Sequence, residues 1–264
     1  MRAVDKATAY LEQEVRLWRP DNGCYSCHNN GDGARALFAA GRTEALGDTL
    51  SFLSNPRAWQ GRGQERGSAA LSTVQFASAL MVASGDERLI AEAAGRVAAA
   101  QQPDGHWMLD EEQGPGSAVT YGPFLGTYMA REILRSVPGG RYRSAIARAD
   151  AWLSQTSPRH IIDQAAVALA LGRQQDAARL LALQAASGSW NGEVFDTAVA
   201  MLALAGRSGE ESRRAVSRAR DFLIASQLEP GGWPGTTRPP GGQSYAQHIS
   251  TTAWALLALK ALQP

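Results

Sequence analysis

The chain has 264 residues, 44% of them apolar and 19% charged, with 26 basic side chains against 25 acidic ones. That balance leaves no electrostatic footprint for nucleic acid or an anionic membrane, and the longest apolar runs, such as 165–171, fall short of the roughly 18–20 residues that cross a bilayer. Only two cysteines are present, which excludes a disulfide framework.

Abundant alanine with sparse Val, Ile and Thr points to closely packed helices. Residues 5–17 read as a first helix, so the chain opens without a charged, apolar and small-residue leader. A short motif follows, Cys24-Tyr25-Ser26-Cys27-His28, and then an apolar helix over 34–40. From there apolar helices over 73–83, 123–134, 162–171, 195–204 and 249–262 alternate with charged ones, seen at 86–100, 141–153 and 214–225. Residues 226–244 are too rich in Gly and Pro to be helical throughout. Ser250, Thr251 or Thr252 is placed to cap the last helix, whose centre, 253–259, is apolar on almost every side and therefore buried all round.

The tryptophans set a period. Trp18 and Trp59 stand 41 residues apart, Trp59 and Trp107 48, and Trp190 and Trp233 43. The 83 residues between Trp107 and Trp190 are close to two periods, as though one repeat had lost its Trp. Six units of about 44 residues mark a repeat architecture. Each unit reads as an amphipathic outer helix, a loop and an apolar inner helix. An open solenoid needs polar capping repeats, yet the last inner helix is as apolar as the middle ones. The expectation is an all-α ring: a single α/α toroid of six outer and six inner helices, one domain over 1–264.

Three segments carry a family resemblance: 101–107 (QQPDGHW), 184–190 (QAASGSW) and 222–233 (FLIASQLEPGGW). They resemble the Gln–Trp motifs of squalene-hopene and terpene cyclases and of related prenyltransferase repeats. A Gln at an outer-helix end satisfies free backbone groups while the Trp packs on the adjoining helix. The resemblance spans essentially the whole chain and implies one six-hairpin toroid, half of a two-domain cyclase. Residues 193–198, Glu-Val-Phe-Asp-Thr-Ala, resemble the Asp-x-Asp-Asp-Thr-Ala motif of class II terpene cyclases. Glu193 and Asp196 match as carboxylates and are the catalytic candidates. The position of the family's proton donor holds Phe195, which cannot supply the strong acid that alkene protonation demands, so the departure argues against protonation-initiated cyclisation. Asp196 also suits a helix-capping role, as do Asp163 and Asp32.

In a ring of this kind the outer-to-inner loops gather at one end, where the inner-helix N-termini also point. His28, His106, His160, His248 and both cysteines fall in these loops or at the start of an inner helix, which marks that end as the functional face. C-x-x-C-H reads as covalent c-type haem attachment: two thiols about one helical turn apart add across the vinyl groups and the adjacent His ligates the iron. Over these five residues the chain resembles c-type cytochromes. The leading expectation is haem c held by Cys24, Cys27 and His28, for electron transfer or haem chemistry, with His248, His106 or Met108 as the sixth ligand. The same residues leave three alternatives open. One is zinc on Cys24, Cys27 and His28, in an enzyme acting on a thiol or isoprenoid-like substrate; protein prenyltransferase β subunits and lanthionine cyclases are similar toroids that bind zinc. The others are a redox-active dithiol and a pair of small buried residues.

A third function is non-catalytic binding of a hydrophobic ligand, with Tyr121, Tyr245, Trp107, Trp190 and Trp233 as candidate cavity lining. Asp110-Glu111-Glu112 reads as a solvated loop, with no second acidic cluster for a diphosphate–magnesium site. The expected partners are a small hydrophobic ligand or a redox partner, not nucleic acid. Haem c would imply a bacterial protein of the periplasm whose leader has been removed; without haem the expectation is cytoplasmic.

Overall fold

The computed structural model describes residues 2–59, 69–108, 122–235 and 244–262. In chain order the α-helices are α1 (Ala3–Asn22), α2 (Ala34–Ala39), α3 (Gly47–Leu53), α4 (Ala69–Ala83), α5 (Glu87–Ala99) and α6 (Gly122–Arg135), followed by α7 (Arg143–Gln155), α8 (Ile161–Leu171), α9 (Gln174–Ala182), α10 (Val194–Ala205), α11 (Glu210–Ala225) and α12 (Tyr245–Lys260). No strand occurs among the described residues, and no helix there is long and apolar enough to cross a membrane.

The even-numbered helices form an inner ring. Each packs on the next, from α2 through α4, α6, α8 and α10 to α12, and α12 packs back on α2 and α1. The odd-numbered helices form the outer layer. The architecture is an α/α toroid. Composition explains the division. In α10 all but two of the twelve residues are buried, including Phe195, Ala198, Val199, Ala200 and Met201. A helix of this kind needs partners on every side. Outer α5 buries only Ala93, Ala94 and Val97 and is started by Asp86, whose carboxylate accepts the N–H groups of Arg88 and Leu89.

The three Gln–Trp segments hold the layers together in the same way. Trp107, Trp190 and Trp233 are fully buried. Each indole Nε1 donates back to a carbonyl of the preceding outer helix: Val97 at 2.7 Å, Leu180 at 2.8 Å and Leu223 at 2.7 Å. Each backbone N–H donates to a threonine hydroxyl of the following inner helix, Thr127, Thr197 or Thr252, at 3.0 Å. Each glutamine amide then reaches sideways. Gln101 donates to Ala145 O on α7, Gln184 to Ala215 O on α11, and Gln227 to Ala3 O on α1. The third tie crosses 224 residues and closes the ring. There Gly231 (φ +104°) lies so near α1 that a Cβ would fall 2.5 Å from Lys6 O.

Three details differ from the sequence reading. Trp18 lies within α1, half-buried and stacked on Tyr245 at 5.4 Å, and Trp59 ends a 3₁₀ turn over Pro56–Trp59. The spacing therefore mixed unlike positions, and equivalence holds for Trp107, Trp190 and Trp233. Trp107, Trp190 and Trp233 face the seam between layers rather than lining an interior. The last helix starts earlier than expected, capped by Ser244, whose Oγ accepts Gln247 N–H at 3.3 Å. Ser250 and Thr252 instead serve buried partners one layer in, because they stand beyond the first turn, where the backbone N–H groups are already paired.

Gln227→Ala should lower stability by about 2 kcal/mol, since it strips a donor from both Ala3 O and Gly231 O. The check is the chemical-denaturation midpoint, with Gln227→Glu, which lacks the NH₂ donor, expected to lose no less.

Candidate functional site

The segment following the cysteine motif is wound rather than looped. Cys27–Gly33 forms seven residues of π-helix that run directly into α2. Ser26 opens it, its Oγ accepting the N–H groups of His28 at 3.1 Å and Asn29 at 3.4 Å. π-helical turns are rare and concentrate at functional sites. Close packing on α4 requires glycine here: a Cβ on Gly31 would stand 2.9 Å from the Cβ of Gln75.

The π-helix brings a polar cluster into the apolar ring. Asp32 is wholly buried and accepts from Gln75 Nε2 on α4 at 2.7 Å and from Ser250 Oγ on α12 at 2.8 Å. Ser250 Oγ also stands 3.4 Å from His28 Nδ1, and His28 Nε2 lies 3.5 Å from Cys27 Sγ. One carboxylate thus ties the π-helix to the inner helices on either side of it. Asn30 fixes the outer edge, accepting Ser26 N–H at 2.9 Å and donating to Thr49 Oγ1 at 3.0 Å. Asn29 donates to Tyr245 Oη at 2.7 Å, and Tyr245 donates to Glu14 at 2.6 Å. Cys27 and His28 are half-buried as residues, but their titrating atoms are shielded. Burial pushes the Cys27 thiol up to about 12, with Asp32's charge adding to the effect, and pushes the His28 imidazole down to about 4. Both groups are neutral at pH 7.

No family model and no curated protein matches the sequence. Solved structures do match the fold. The type II terpene cyclase MstE from Scytonema, without ligand, superposes with a TM-score of 0.67 at 19% identity, over 98% of this chain and 96% of that one. A variant of MstE in complex with geranylgeranyl dihydroxybenzoate gives 0.66 at 18%, with the same coverage. The fold is the α/α toroid of type II terpene cyclases. The ent-copalyl diphosphate synthase of Streptomyces platensis matches with a TM-score of 0.57 at 21% identity, over 89% of this chain and 50% of that larger one.

Within the toroid the sequence candidates disperse. Cys24 and Cys27 are free thiols. His106 pairs with Asp104 at 2.6 Å and stacks on Trp152 of α7. His160 caps α8, and Asp163 is a capping residue, accepting the N–H groups of His160 and Arg159. His248 stands 3.2 Å from Trp233 O, and Met108 is surface-exposed. Among the described residues none of these histidines joins Cys24, Cys27 and His28 in a metal-holding group. Glu193 is the N-cap residue of α10. Asp196 is fully buried in the first turn of α10, with Asn191 Nδ2 at 3.4 Å from its Oδ2. Asp32 is not a cap but the centre of the buried cluster. Tyr245 faces α1 and is 42% exposed, so it lines no interior. Tyr121 and Asp110-Glu111-Glu112 lie outside the described residues.

Among the described residues no three of His, Cys, Asp and Glu converge as a metal ion requires. His28 turns its nitrogens to Cys27 and Ser250 rather than to an open axial position. As arranged, these residues fit neither zinc nor haem without rearrangement. The sequence reading missed Gln75, Ser250, Trp254 and Arg35. Arg35 left a legible trace, a lone cation inside the apolar run Ala34–Ala39.

His28 makes stability depend on acid. The unfolded chain titrates it near 6.5 and the folded protein near 4. Between these the unfolded state binds more protons, so stability is full above about pH 6.5 and falls by up to about 3 kcal/mol as pH drops towards 4. Thermal melts between about pH 7 and pH 4.5 should show this slope, and His28→Gln should flatten it.

Proposed function

We propose that the protein binds a hydrophobic, prenyl-like ligand inside the toroid, beneath the Asp32 cluster. The observation that carries this reading is the set of large side chains that the inner helices bring together. Trp254 of α12 meets Phe195 of α10 edge-on at 5.8 Å, and Met129 of α6 and Trp254 both border Arg35 of α2. The same fold in MstE holds geranylgeranyl dihydroxybenzoate. Aromatic and thioether walls of this kind suit a flexible polyene.

Protonation-initiated cyclisation at α10 is not part of the reading. Phe195 is fully buried against Trp254 where a proton donor would stand. Squalene and geranylgeranyl diphosphate should be recovered unchanged after incubation. Product formation that Asp196→Asn abolishes would restore cyclase chemistry. For binding, geranylgeraniol should quench tryptophan fluorescence saturably, and Trp254→Ala should weaken its affinity about tenfold by removing aromatic contact area. Absence of saturable binding would overturn the reading.

A second reading, haem c on Cys24 and Cys27, is supported by two free thiols three residues apart, of which Cys27 opens the π-helix. It requires His28 to leave Ser250. Intact mass of denatured protein from a cytochrome-maturing host tests it. One added haem, lost in the Cys24→Ala, Cys27→Ala double variant, supports it. An unmodified, colourless protein with stoichiometric zinc supports the metal alternative, and an unmodified, metal-free protein removes both.

A further inference from the structure

Arg35, in the first turn of α2, is 8% exposed. Its guanidinium lies over the Trp254 indole of α12, 4.2 Å from the ring centroid, and Nη1 reaches Met129 Sδ of α6 at 4.0 Å. Helix α6 stands two places round the inner ring from α2, so the side chain crosses the interior. Tyr128 of α6 is a titratable side chain that feels its charge. Nε and Nη2 have no hydrogen-bond partner, and among the described residues no carboxylate lies within ion-pair distance. A buried cation with idle donors is costly to the fold on its own.

The idle pair has a specific geometry. Nε and Nη2 form one edge of the guanidinium plane, the edge that grips a planar oxyanion with two parallel hydrogen bonds. This chain uses that edge elsewhere. Arg173 gives Nε and Nη2 to the two carboxylate oxygens of Asp176 at 2.6 and 3.2 Å. Arg42 turns the same two nitrogens to Glu12 at 3.1 and 2.9 Å. In Arg35 the corresponding edge meets no oxygen among the described residues, while the guanidinium carbon lies over the Trp254 ring.

We propose that Arg35 anchors the head group of the ligand: its Nε–Nη2 edge binds an oxyanion, a carboxylate or a phosphate, carried at the end of an apolar chain that lies along Trp254 and Phe195. This rests on the prenyl-like ligand reading and specifies the ligand class as an anionic amphiphile. Neutral isoprenoids would satisfy the apolar walls and leave the cation unpaired.

The test is calorimetric titration with geranylgeranoic acid, geranylgeranyl monophosphate and geranylgeraniol, which share one chain and differ in head group. Wild type should bind at least one anionic probe about tenfold or more tightly than the alcohol. A tighter acid assigns a carboxylate source and a tighter monophosphate a phosphate source. Arg35→Met should bring all three probes to within about twofold of one another, and Arg35→Lys, which keeps charge without the fork, should recover only part of the preference. Without ligand, Arg35→Met should melt at or above the wild-type temperature, because it removes an unpaired buried charge. Equal wild-type affinity for all three probes would overturn the head-group role and leave the ligand reading standing. Binding of none would remove the ligand reading and this one with it. An Arg35→Met protein that melts well below wild type would also overturn the proposal, since the cation would then serve the fold.

Discussion

Inner helices that are apolar around nearly their whole circumference admit no free edge. Each must be covered by two neighbours in its own layer and by the outer layer behind it, and a row of them satisfies that condition only by closing. The rest of the structure follows from this constraint. Ring closure fixes the direction of every hairpin, gathers the inner-helix N-termini at one end, and leaves the outer helices with one apolar stripe and one solvated face. Alanine makes the closure compact, because Ala198, Ala200, Ala253 and Ala255 let neighbouring backbones approach.

Against that background, polar groups within the ring are expensive and therefore informative. Asp32 is retained because Gln75 and Ser250 supply donors from both adjoining helices. The π-helix carries it there: Asp32 is buried within the winding and reaches Gln75 on one side and Ser250 on the other. Arg35 lies immediately beyond, where the winding returns to α-helical. A buried acid with its partners in place and a buried base with its fork idle thus occupy consecutive turns of one inner element.

The toroid was legible because its signals repeat. Trp107, Trp190 and Trp233 stand in register, and the apolar inner helices are long enough for periodicity to speak. The interior was less legible for physical reasons. Asp32 looked like one more helix cap, since nothing in the local sequence names Gln75 and Ser250, 43 and 218 residues away, as its partners. Residues 27–33 carry two glycines and two asparagines, which read as loop chemistry, and only tertiary packing winds them. Cys24-x-x-Cys27-His28 drew attention to the right neighbourhood, although the groups found beside the His28 nitrogens are Cys27 and Ser250 rather than a second distant ligand.

The seam has a consequence for how such a chain comes to be folded. Helix α1 comes before the other helices of the ring in chain order, yet its lateral partner is Gln227, 224 residues further on from Ala3. Through most of synthesis the apolar stripe of Ala7, Leu11 and Val15 therefore has no α12 to rest on. A growing ring is an open arc with two unfinished rims, and each added hairpin moves one rim without removing it. Only α12 removes both rims, so the change from adhesive intermediate to closed ring waits until that helix has been made, a window in which a chaperone or a second nascent copy competes for the same surface.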